Sequence, residues 1–188
     1  PQRVLSAAPM SRKKYKVAVV GVTGAVGQEM LRVLEQRKFP VDQQLPLASR
    51  RSAGKRIRFK GKSVTVRELK EDSFQDVDIA LFSAGGFISK TFGPIAAAAG
   101  CVVVDNSSAF RMENDVPLVV PEINAADVRK HKGIIAVPNC TTIITLMALY
   151  PLHKAFGVKR IFASTYQAVS GSGALAIEEL KTQVKQVA

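Results

Sequence analysis

Lys16-Val17-Ala18-Val19-Val20-Gly21-Val22-Thr23-Gly24-Ala25-Val26-Gly27 decides the fold. Lys16 to Val20 is a short apolar run of the kind buried on both faces of a parallel sheet. Gln28 to Lys38 then sets Met30, Leu31, Val33 and Leu34 at helical spacing, and Pro40 stops that helix. Between them lies a glycine turn. Without Cβ atoms its backbone can approach a pyrophosphate, and the free N–H groups of the helix start face the phosphate oxygens. The spacing is Gly-x-x-Gly-x-x-Gly, not the usual Gly-x-Gly-x-x-Gly, so the strand-turn-helix context carries the reading. A turn that is glycine-rich for purely structural reasons is the competing one.

Working outward, Leu45 to Ser49 is a second strand, and Pro46 moves its expected start to about Leu47. Lys55 to Val66 alternates basic and apolar residues around Lys60-Gly61-Lys62 and predicts a hairpin with one solvated basic face. Val77 to Phe82 is a strand ending at Ser83-Ala84-Gly85-Gly86. A helix over Phe87 to Ala99 is expected to start after Ser89 or Lys90 and to break near Gly93-Pro94, and Gly100 closes it. Cys101 to Val104 and Gly133 to Val137 are further strands, and Asn124 caps a short helix reaching about His131. Strands alternating with helices predict a doubly wound, Rossmann-like, mostly parallel α/β sheet. Thr142 to Phe156 is a long apolar helix, Val158 to Tyr166 a strand, Ser170 to Gly173 a loop and Ala174 to Val187 a helix. The division expected is a basic leader at 1–14, an NADP-binding domain at 15–139, and the incomplete start of an α+β catalytic and dimerisation domain at 140–188.

Two further stretches carry chemistry. At the end of the second strand, Ala48-Ser49-Arg50-Arg51-Ser52 has no acid to accept from a ribose 2′-OH. Its hydroxyls and guanidinium groups suit a 2′-phosphate, which favours NADP over NAD. Solvated surface charge is the alternative. Pro138-Asn139-Cys140-Thr141-Thr142 puts a thiol between a strand and a helix, at the helix end that stabilises negative charge on sulfur. The bland reading is a small buried Cys.

Composition limits the rest. Hydrophobic residues at 47% exclude wholesale disorder, and no apolar run reaches the roughly 18 residues of a membrane span. The net charge of +12 attracts anions, but few aromatics accompany the basic clusters, so no nucleic-acid or membrane partner is expected. Cys101 and Cys140 give neither a disulfide framework nor metal-ligand spacing, and no metal is expected. Pro1 to Lys14 is basic and free of acids. It reads equally as the tail of an organelle-targeting segment, which would place the protein in the plastid stroma, or as an ordinary basic leader, which would leave it in the cytoplasm.

With these motifs in order, the chain resembles aspartate-β-semialdehyde dehydrogenase from about Lys16 onward. The resemblance also rests on Phe82 to Gly86, Asp105-Asn106-Ser107-Ser108-Ala109-Phe110-Arg111, Val119 to Asn124, and Thr165-Tyr166-Gln167-Ala168-Val169-Ser170-Gly171. It implies NADPH-dependent reductive dephosphorylation of β-aspartyl phosphate to aspartate semialdehyde, with release of inorganic phosphate, early in lysine, threonine and methionine synthesis. It implies that Cys140 is the nucleophile, that Gln167 orients the substrate, that Arg111 holds its phosphate, and that Asn139 sets the thiol environment. The cofactor contacts implied are Gly21, Thr23, Gly24, Ala25, Val26 and Gly27 at the pyrophosphate, Ser49, Arg51 and Ser52 at the 2′-phosphate, and Ser83, Ser170 and Gly171 beyond. A homo-oligomer, dimer or tetramer, is implied for the full-length protein.

This chain departs from the family at Thr141, where Ser is common, and retains the hydroxyl. The family's general-base His and a second substrate-binding Arg belong to a later stretch, and neither His131 nor His153 sits in the matching motif. The 188 residues are therefore expected to read as a cut-off, inactive fragment that binds NADPH. The rival readings are N-acetyl-glutamyl-phosphate reductase, glyceraldehyde-3-phosphate dehydrogenase, a non-catalytic NADP-binding fragment and a basic nucleic-acid module.

Overall fold

The computed structural model describes residues 14–187. The predicted leader, apart from Lys14, lies outside the described residues. The elements in chain order are β1 (Tyr15–Val20), α1 (Ala25–Gln36), β2 (Val41–Ala48), β3 (Arg56–Phe59), β4 (Lys62–Thr65), β5 (Arg67–Glu68), β6 (Ile79–Phe82), α2 (Gly86–Ala98), β7 (Val102–Asp105), α3 (Pro121–Asn124), β8 (Ile134–Ala136), α4 (Cys140–Phe156) and α5 (Ala174–Val187).

Six strands form one sheet in the order β5-β2-β1-β6-β7-β8, every pairing parallel. β1 lies inside it, and alternation splits β1 between two cores. Ala18 and Val20 pack with Phe82, Ala96 and Val103 on the α2 face. Val17 and Val19 pack with Leu31 and Phe59 on the α1 face. Both faces are covered, so β1 is an unbroken apolar run. Phe74 stacks on Phe82 with centroids 5.8 Å apart, and burying such a ring contributes about 2–3 kcal/mol. The chain winds one way from β1 to β2 and the other way from β6 to β8. The order reverses between β1 and β6, and a crevice at such a reversal is where ligands bind in open α/β sheets.

Several sequence expectations need correction. β2 starts at Val41, and Pro46 lies inside it. The Leu47 carbonyl accepts from Gly21 on the β1 side, and that of Ala48 accepts from Leu69 on the other. By alternation Pro46 turns its nitrogen outward, before β5 begins, so the missing N–H breaks no ladder. α2 starts at Gly86 and runs unbroken through Gly93-Pro94. Gly93 is buried and close to the Phe110 ring, and this packing holds the helix across the bond that Pro94 removes. Asn124 does not cap the following 3₁₀ turn (Ala125–Lys130) with its side chain. Its Oδ1 accepts from the Val120 N–H, and its amide donates back to the Leu118 carbonyl. Val158 to Tyr166 is irregular and exposed, because a strand needs a partner and no described strand runs beside it. The β3–β4 hairpin pairs antiparallel as expected, Arg56 with Thr65 and Arg58 with Ser63. α1 and α4 begin earlier than predicted, at Ala25 and Cys140.

No helix among the described residues is long and apolar enough to cross a membrane.

Candidate active site

The glycine turn closes the C-terminal end of β1. Gly21 has φ +83°, and a Cβ there would stand 2.2 Å from the Ser83 carbonyl oxygen. A Cβ on Gly27 would stand 2.3 Å from the Gly21 oxygen. These two glycines let the turn press against β6 and let α1 press against the turn. Gly24 caps α1 without a side chain, and its N–H donates to the Gly21 oxygen at 3.0 Å. The Gln28 amide donates to the Val22 carbonyl at 2.6 Å and closes the loop. The N–H groups of Ala25, Val26 and Gly27 begin α1 and have no acceptor within it, so they face the crevice as an anion cradle.

Two adjoining hollows open there and share Gly24 and Ser83. One, of about 280 Å³, joins Ala25 and Val26 to Asn106, Ser107, Ser170 and Gly171. The other, of about 340 Å³, is lined by Gly21, Thr23 and Ser49, with Ile88 and Phe92 as an apolar wall. Thr23 Oγ1 lies 3.5 Å from Ser52 Oγ, which ties the glycine turn to the Ser49–Ser52 turn. Arg51 is exposed on that second turn. A larger opening of about 820 Å³ lies at the opposite end of the strands, beside Lys16, Asp76 and Gly100. No residue predicted for the site lines it, so the chemistry of the lining outweighs size here.

Cys140 is the first residue of α4, free and exposed. Asn139 caps the helix, its Oδ1 accepting from the Thr141 N–H at 3.0 Å and from the Thr141 hydroxyl. The same oxygen lies 4.0 Å from Cys140 Sγ, so Asn139 fixes the helix start next to the thiol. Arg111 reaches this strand end from the loop after β7. Its Nε donates to the Val137 carbonyl at 2.9 Å, and an Nη donates to the Asn106 carbonyl at 3.1 Å. The guanidinium thus bridges the cavity wall and the segment leading into Cys140, with N–H groups to spare for an anion.

Gln167 makes no hydrogen bond to Cys140. Its amide lies over Gly171, where a Cβ would come within 2.2 Å of Nε2. His131 Nδ1 accepts from the Gly133 N–H and shapes a turn. Cys101 is buried, and burial, with a lesser contribution from the Asp78 charge, pushes its thiol up to about 12. Asn106 and Ser107 line the cavity although sequence reading assigned them no role; their place directly after the buried strand β7 was the available signal. Among the described residues no cluster of three or more His, Cys, Asp or Glu could hold a metal ion.

Residues 16–131 match the family model described as semialdehyde dehydrogenase, NAD binding domain. The chain belongs to the semialdehyde dehydrogenase family. Residues 149–188 match the dimerisation domain of the same family. The aspartate-semialdehyde dehydrogenase of Aquifex aeolicus is 59% identical over 174 residues, 91% of this chain and 51% of that protein. That of Bacillus subtilis is 53% identical over 171 residues, 91% and 49%. The crystal structure of aspartate semialdehyde dehydrogenase II from Vibrio cholerae complexed with ASA superposes at TM-score 0.89, with 50% identity over 93% of this chain and 53% of that one. The Candida albicans enzyme with NADP superposes at TM-score 0.62, with 27% identity over 78% of this chain and 48% of that one. The chain spans about half the length of the curated relatives it matches.

Proposed function

We propose that the polypeptide carrying this chain reduces β-aspartyl phosphate to aspartate semialdehyde with NADPH, releasing inorganic phosphate. The observation that carries the reading is the convergence at one sheet end. Ala25-Val26, Ser83 and Ser170-Gly171 line one hollow. Arg111 links that hollow's wall to the segment entering Cys140. The residues fit NADP. The α1 start offers N–H groups to the pyrophosphate, close-packed Gly21 and Gly27 keep the approach open, and Ser49, Arg51 and Ser52 offer hydroxyls and a cation, with no acid at the 2′-position.

In this reading the Cys140 thiolate attacks the acyl carbon and the carbon–oxygen bond to phosphate breaks, leaving a thioester on Sγ. Arg111 holds the departing phosphate. Gln167 orients the acyl group, and Asn139 keeps the thiol at the helix start. When bound, NADPH supplies the hydride. Collapse at Sγ then returns the thiolate and frees the aldehyde. Neither His131 nor His153 is assigned the proton-transfer role.

The domain division proposed is 15–139 for NADP and 140–188 for the start of the catalytic and dimerisation part, in a homodimer or tetramer. The location stands where the composition of Pro1 to Lys14 leaves it, plastid stroma or cytoplasm. In the full-length polypeptide, Cys140→Ala is expected to abolish phosphate-dependent NADPH formation from aspartate semialdehyde, and the denatured wild type trapped with substrate is expected to carry an acyl adduct at Cys140. Turnover by the Cys140→Ala protein at the wild-type rate excludes the covalent route.

A further inference from the structure

We infer that Asp105 is the positioning residue of the anion-holding loop, placing Arg111 beside Cys140 from beneath. Asp105 ends β7 with its side chain wholly buried, and it has no cationic partner among the described residues. A buried carboxylate is costly unless hydrogen bonds compensate it, and here they come from two elements at once. Ser89 Oγ, buried on α2, donates to Oδ1 at 2.6 Å. The Ser107 N–H donates to Oδ1 at 3.2 Å, and Ser107 Oγ donates to Oδ2 at 2.7 Å. Ser107 Oγ in turn accepts from the Ala109 N–H at 3.1 Å, so the carboxylate sets the backbone of the loop two residues further on.

The same loop is fixed at its far end. The Phe110 ring sits where a Cβ on Gly93 of α2 would stand 3.1 Å from it. Arg111 then spans Asn106 and Val137. Asp105 also accepts from the Val137 N–H through its own carbonyl, at 2.9 Å. One buried residue therefore joins α2, the cavity wall at Asn106-Ser107 and the strand end that delivers Cys140. An ordinary packing residue at this position would keep the backbone bond to Val137 but lose the side-chain bonds that tie it to Ser89 and Ser107.

The inference rests on the reading of Arg111 as a cation acting near Cys140, and alkylation of Cys140 in the full-length polypeptide separates the two claims. Iodoacetate and iodoacetamide each form a sulfur–carbon bond with the thiolate and release iodide, and they differ by one negative charge. The ratio of their rates cancels the thiolate fraction and reads the local potential, which a general loss of stability would leave alone. Peptide mapping keeps Cys101 out of the count. At low salt Arg111→Ala is expected to lower the iodoacetate to iodoacetamide ratio about two- to threefold, the weight of a unit charge within a Debye length in water. Asp105→Ala is expected to lower it toward the Arg111→Ala value. Ser89→Ala deletes one oxygen, is expected to act in the same direction, and decides alone where Asp105→Ala does not fold. An unchanged ratio in Arg111→Ala overturns the Arg111 reading and the inference with it. A lowered ratio in Arg111→Ala, with the wild-type ratio kept by the folded Asp105 and Ser89 variants, overturns the role of Asp105 alone.

Discussion

The two cysteines show what position does to one side-chain type. Cys140 is exposed at a helix start, and Cys101 is 1% exposed beneath α2 with its thiol raised to about 12. A thiol raised in this way stays protonated until the pH approaches that value, so at pH 8 it is a poor nucleophile as well as an inaccessible one. Titration of the folded chain with a thiol reagent at pH 8 is expected to modify Cys140 rapidly and Cys101 only after denaturation; two fast thiols in the native chain would contradict the burial. Arg51 carries the discrimination between cofactors. Arg51→Ala is expected to weaken NADPH binding about 10- to 100-fold and NADH binding little, by the weight of charge-assisted hydrogen bonds to one phosphate. Equal weakening of both, measured by fluorescence titration, removes the 2′-phosphate role. Cys140 and Arg51 were legible because their meaning is local: a thiol between a strand and a helix, and cations where an acid would otherwise stand. Asp105 was not, because an acid after a strand ordinarily looks toward solvent. Only the fold brings Ser89 to meet it.

At the level of elements, the glycine turn divides labour in a way the spacing alone does not reveal. Gly27 is buried and has no room for a methyl group, whereas the only neighbour a Cβ on Gly24 would meet is the Gly21 oxygen, at 3.3 Å. Gly27→Ala is expected to destabilise the chain by about 2 kcal/mol or more, as overpacking does, and Gly24→Ala by less than about 1 kcal/mol. Urea unfolding measures both, and equal losses would remove the close-packing account. The elements that sequence located well, β1, α1, the hairpin and β7, are defined by their own periodicity or turn chemistry. Those it misjudged depend on neighbours. Pro46 sits inside β2 because its nitrogen faces an open edge, α2 survives Pro94 because Gly93 is pinned under Phe110, and Val158 to Tyr166 has strand composition but no ladder.

For the whole molecule, charge is concentrated on one flank. From Ser49 through Lys70 stand nine Lys and Arg residues and one acid, Glu68. Arg50, Arg51, Lys55, Arg56, Arg58 and Lys62 are exposed and form no ion pair among the described residues. The hairpin that bears Arg56, Arg58 and Lys62 grows directly from the turn carrying Arg51, so it extends a positive field outward from the proposed 2′-phosphate seat. NADPH association is expected to slow about tenfold between roughly 0.01 and 0.5 M salt, because the Debye length shrinks from about 30 Å to a few Å. The double variant Arg56→Gln/Arg58→Gln is expected to flatten that dependence in stopped-flow measurements with the dissociation rate kept; a wild-type slope would show that these cations are only solvated. Apolar surface is concentrated elsewhere: Ile144 and Phe156 on α4, Phe162 beyond it and Leu175 on α5 are all exposed, within or beside the residues matching the dimerisation domain. The sheet between these two regions ends abruptly on both sides. β5 is two residues long with Arg67 and Glu68 as its side chains, and Pro46 removes a donor from the stretch of β2 that β5 leaves uncovered. At the other margin the backbone of Leu118 and its neighbours closes over Ala136. Among the described residues the β8 margin is closed by backbone, and on the β2 margin Pro46 interrupts the row of donors just where β5 stops, so a foreign strand meets a broken template there instead of a continuous one.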